Sequence, residues 1–111
     1  VSDADELAAA LAALAADYRV RLAARLDALD ALAAGLRCGQ TDVARLEDLR
    51  RELHTIAGSA KTFGLPEVGA AARAGERLLD PWCDAGKTPG AAGWAELRSM
   101  LAALRRAGGS G

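Results

Sequence analysis

The sequence predicts an all-α fold, an antiparallel four-helix bundle with room for a short additional helix at the N-terminus. Three observations carry this. Of 111 residues, 28 are Ala and 17 are Leu, the leaders of the helix propensity scale. One Phe, one Tyr and two Trp are present, with few of the β-branched residues that strands favour. Apolar residues recur at spacings of three and four between Gly- and Pro-bearing marks, which is helical periodicity.

The elements follow in chain order. Ser2-Asp3-Ala4-Asp5 reads as a helix start, with Ser2 capping and the acids suiting the positive end of the helix dipole. Leu7, Leu11 and Leu14 follow, and then Tyr18, Leu22, Leu26, Leu29 and Leu36. No Gly or Pro divides these runs. We expect two helices, broken near Ala16-Asp17, because one helix of that length would overhang a small bundle. The next helix starts near Thr41-Asp42 and runs to about Phe63, with Leu46, Leu49, Leu53, Ile56, Ala60 and Phe63 as its buried seam. Gly64 suits its stop, and Pro66 suits the first turn of a helix running to about Asp80. That helix turns Val68, Ala71, Ala72, Gly75, Leu78 and Leu79 inward. The last helix, residues 91–106, places Trp94, Leu97, Leu101 and Leu104 on one side. Residues 1–107 are thus expected to form the bundle, and residues 108–111 a flexible Gly/Ser tail.

Charge narrows the function classes. With 14 Lys and Arg against 15 Asp and Glu, the net charge of −1 lacks the basic footprint of a nucleic-acid binder or a polybasic membrane anchor. No apolar stretch approaches the roughly 20 residues of a transmembrane helix. Cys38 and Cys83 lie outside any CxxC spacing and, with one His, are too few for a metal site, so free thiols and a cytoplasmic location are expected.

His54 is the single histidine. At 100° per residue it lies roughly 130° from the centre of the Leu46-to-Phe63 seam and should face solvent. Glu47, Arg50 and Arg51 precede it on the exposed side, and Ala57, Gly58 and Lys61 follow. A mid-helix Gly costs about 0.5–1 kcal/mol relative to Ala. Gly58, one turn past His54, leaves a gap where a larger body could approach the imidazole. Neutral imidazole is a nucleophile at physiological pH, and nearby cations stabilise a phosphorylated one. An ordinary solvated surface His is the plain alternative.

The stretch Leu53-His54-Thr55-Ile56-Ala57-Gly58-Ser59-Ala60-Lys61-Thr62-Phe63-Gly64-Leu65 resembles the signature of histidine-containing phosphotransfer (HPt) domains, approximately H-x-L-K-G-S-[AS]-x-x-[hydrophobic]-G. His54, Ile56, Gly58, Ser59, Ala60, Phe63 and Gly64 match. Val68 to Ala72 and Glu76 extend the match weakly, and the helix layout matches over nearly the whole chain. The family often has Lys three residues after its His; here that position is Ala57, which leaves Lys61 as the best remaining cation on that face. The resemblance implies an intermediate of a multistep phosphorelay. His54 would accept a phosphoryl group from an aspartyl-phosphate receiver domain and pass it to another, with Lys61, Gly58 and Ser59 supporting the site and Arg50, Arg51 and Ala57 docking the receiver. For Ser59, a bond back to helix carbonyls is an equal alternative. The implied partners are receiver domains of response regulators and a hybrid histidine kinase, and the domain is expected as a monomer. No cofactor is implied: the receiver would supply Mg²⁺, and no nucleotide loop is present. Two other readings are a dimerisation and phosphoacceptor domain of a histidine kinase, which usually has an acid where Thr55 stands, and a non-catalytic adaptor bundle.

Overall fold

The computed structural model describes residues 2–36 and 43–109. Four helices account for nearly all of them: α1 Asp3–Leu36, α2 Val43–Thr62, α3 Pro66–Ala85 and α4 Ala91–Gly109. Among the described residues there is no strand. The helices pack around a seam of leucines, with Leu22, Leu29, Leu46, Leu49, Leu53, Ile56, Leu79, Leu97 and Leu104 all essentially inaccessible. Each such side chain contributes about 1.5–3 kcal/mol relative to exposure.

The N-terminal expectation is corrected. Residues 3–36 form one helix of 34 residues, not two. Ser2 does cap it: its Oγ accepts the Asp5 N–H at 3.2 Å and its carbonyl accepts the Glu6 N–H at 3.1 Å. An unbroken run of good helix formers has no residue to stop at near Ala16-Asp17. At 1.5 Å per residue α1 is about 51 Å long against about 30 Å for α2. Its first half therefore does overhang the bundle, and the molecule measures 58 × 22 × 19 Å. Burial on α1 begins at Tyr18.

Two other boundaries shift. The third helix continues past Asp80 through Pro81 to Ala85. Pro81 removes one backbone donor, but the next turn carries Cys83 into the core and half-buries Trp82 against it. The stop comes at Gly86, whose φ of 65° is left-handed. There the Gly86 N–H reaches the Cys83 carbonyl and the Lys87 N–H that of Trp82, an arrangement that satisfies the last carbonyls. At the C-terminus, Gly108 is not tail. It lies in α4, where an added Cβ would stand 3.1 Å from Leu22 Cδ2. Gly109 also lies in α4, while Ser110 and Gly111 of that predicted tail fall outside the described residues, as do Cys38 and the predicted helix start at Thr41-Asp42.

Candidate functional site

The site is built where α2 and α3 run antiparallel. Gly75 of α3 faces Leu53 of α2 so closely that a Cβ there would lie 3.1 Å from Leu53 Cδ1. This near approach brings the residues beside that pair, His54 and Glu76, within reach of each other. His54 Nδ1 and Glu76 Oε2 are 2.7 Å apart. A carboxylate can only accept, so Nδ1–H donates and the lone pair of the imidazole resides on Nε2. The His54 side chain is 72% exposed and Glu76 18%. The ring thus stands in solvent with its inner nitrogen held from the neighbouring helix.

The same ladder extends in both directions. One turn earlier on α2, Arg50 donates to Asp80 and Asp84 of α3, each at 3.2 Å. The hydrogen bonds it donates to Asp84 and then Asp80 hold the Arg50 guanidinium above its ordinary value, against a lowering by desolvation. Burial pushes the adjacent Cys83 thiol up. Arg50, Arg51, Glu47, His54 and Glu76 line one shallow dent. Arg51 is itself paired with Asp48 at 3.3 Å. In the other direction, Ala57, Lys61, Gly64, Pro66, Gly69, Ala70 and Arg73 line a groove of ≈ 660 Å³. Its floor is small because an added Cβ at Gly69 would already touch the Ala57 carbonyl at 3.5 Å.

The predicted residues therefore divide. His54, Arg50 and Arg51 share the dent. Gly58 has nothing within 4 Å of where its Cβ would be, so the cleared approach beside His54 exists. Lys61 lies in the neighbouring groove, opposite Arg73, and not in the dent with the imidazole. Ala57 is a correction: expected on the exposed side, it is 3% exposed. Without a side chain at Gly69, α3 closes over it, and a buried methyl group offers a partner little surface. Ser59 makes the bond back to its own helix. Its Oγ donates to the Thr55 carbonyl at 3.0 Å, which uses its one proton. It therefore accepts from the Tyr18 hydroxyl at 2.8 Å. Tyr18 also stacks on Phe63, with centroids 4.5 Å apart.

Glu76, which in the sequence only extends the family resemblance weakly, is here the partner of His54. Its signal was available only in part: it follows Gly75 on the edge of the inner face of α3. Which α2 residue it meets depends on the register between the two helices.

Among the described residues, no group of three or more His, Cys, Asp or Glu side chains converges as a metal site. None of the described helices is long and apolar enough to cross a membrane. The family model of the Hpt domain matches residues 2–107. No curated protein and no solved structure matched in the comparisons.

Proposed function

The chain belongs to the Hpt domain family, whose members mediate phosphorelay in two-component signalling, and from that premise we propose that His54 is its phosphoacceptor. The observation that carries this is the pairing of an exposed imidazole with a carboxylate at its inner nitrogen. Nε2 faces outward with its lone pair available, and the notch at Gly58 lets a receiver domain come close.

In the transfer, Nε2 attacks the phosphorus of an aspartyl phosphate on the receiver. The N–P bond forms as the P–O bond to the aspartate breaks, and the aspartate leaves as a carboxylate. The imidazole becomes cationic, and the Glu76 carboxylate beside Nδ1–H stabilises that charge. Reversal passes the group to a second receiver. The receiver supplies Mg²⁺ for this chemistry. The apolar groove between Lys61 and Arg73 extends the docking face from the dent toward the turn joining α2 and α3. Arg50 and Arg51 flank the other side of His54.

The direct test is incubation of the chain with a phosphorylated receiver. Acid-labile, alkali-stable phosphate should appear on the chain and be absent from His54→Gln. Equal labelling of His54→Gln would overturn the assignment.

A further inference from the structure

A phosphoryl group on His54 brings about −1.5 to −2 charges at neutral pH. It enters a dent that already holds the carboxylates of Glu47 and Glu76. The cations lining that dent are Arg50 and Arg51, and they are not equivalent.

The tie to Glu76 sets the side of α2 on which the phosphoryl group stands. Nδ1 is drawn toward α3, 2.7 Å from Glu76 Oε2. The two nitrogens of an imidazole direct their bonds away from each other, so Nε2 is turned toward the edge of α2 that faces away from α3. On the helix wheel Arg50, Ala57 and Lys61 lie about 40°, 60° and 20° round from His54 in the direction of Leu53, the residue that meets Gly75 of α3. Gly58 and Arg51 lie about 40° and 60° round in the opposite direction. Gly58 is the open notch one turn on. Arg51 stands one turn before, and helical side chains lean toward the start of their own helix, which carries the imidazole over the turn of Arg51.

Availability selects the same residue. Arg50 is held by Asp80 and Asp84, each at 3.2 Å. Among the described residues Arg51 is paired only with Asp48, at 3.3 Å, between side chains 75% and 52% exposed. Such an exposed pair is weak. A phosphoryl group offers three acceptor oxygens and more charge than a carboxylate, and a guanidinium fork can meet it with two parallel hydrogen bonds. Lys61 lies on the α3 side, in the neighbouring groove. Resting on the assignment of His54 as phosphoacceptor, we propose that Arg51 leaves Asp48 and holds the phosphoryl group on Nε2, and so is a catalytic residue of the transfer.

The test is ³¹P NMR of the full chain phosphorylated by phosphoramidate, with no receiver present. Nε2 attacks the phosphorus of the reagent, its P–N bond breaks and ammonia leaves. His54 is the single histidine, so one phosphohistidine signal is expected, and none in His54→Gln. The signal is followed as pH is varied through the neutral range. A cation beside the phosphoryl group favours its doubly charged form and lowers its titration midpoint. The midpoint should therefore rise by about half a unit in Arg51→Gln, return most of the way in Arg51→Lys, and stay with the parent in Lys61→Gln. A residue that only docks a receiver would not move it. A midpoint unchanged in Arg51→Gln overturns the proposal, and so does an equal rise in Lys61→Gln. A chain that takes up no phosphate on His54 removes the phosphoacceptor assignment and this proposal together; phospho-His54 that titrates alike in parent and Arg51→Gln removes this proposal alone.

Discussion

At the residue scale, the exposed imidazole and the gap one turn on were legible from the pattern of α2 alone. Both depend on one helix wheel, and both stand in the structure. Glu76 and Ala57 were not, because each depends on how α3 is set against α2. Glu76→Ala should slow phosphoryl transfer about ten-fold, equivalent to ~1.4 kcal/mol in the barrier. Glu76→Gln should fall between it and the parent, keeping a hydrogen bond but not the charge. Single-turnover transfer from a phosphorylated receiver measures both. Gly58 separates stability from function. With open space around it, Gly58→Ala should stabilise the helix by about 0.5–1 kcal/mol in thermal unfolding. Gly58→Leu should also fold with full helix content, yet transfer slowly, because the side chain fills the approach to Nε2.

At the element scale, the buried seams of α2 and α4 could be read directly, since three-four spacing fixes the inward face of a helix whatever it packs against. Ends were harder. The expected end of the third helix near Asp80 falls short, because Cys83 beyond Pro81 is buried and the helix continues past it. The expected break between the two N-terminal runs rests on one helix of that length overhanging a small bundle, and α1 is a single helix that does overhang it. Tyr18 is where α1 is tied to α2, by its hydroxyl to Ser59 and by its ring to Phe63. Tyr18→Phe keeps the stack and removes one hydrogen bond. It should cost about 1 kcal/mol in denaturant unfolding, with transfer by His54 little changed.

At the scale of the whole molecule, the bundle and the overhang are distinct in what they contribute. The core begins at Tyr18 and closes with Leu104, and α4 is clipped to α1 by Arg105, which reaches Asp27 at 2.8 Å and also Asp30. A chain lacking residues 1–14 should therefore unfold at nearly the Tm of the full chain when both are dilute, within about 0.5 kcal/mol, as expected for exposed positions. Calorimetry or circular dichroism decides it. The proportions of the body have a hydrodynamic consequence. A particle of 58 × 22 × 19 Å tumbles as a rod, with a frictional ratio well above that of a sphere of 11.4 kDa. It will leave a gel-filtration column early even as a single copy. Helical amide vectors aligned with the long axis will report slow rotation in ¹⁵N relaxation, as if the particle were heavier than it is.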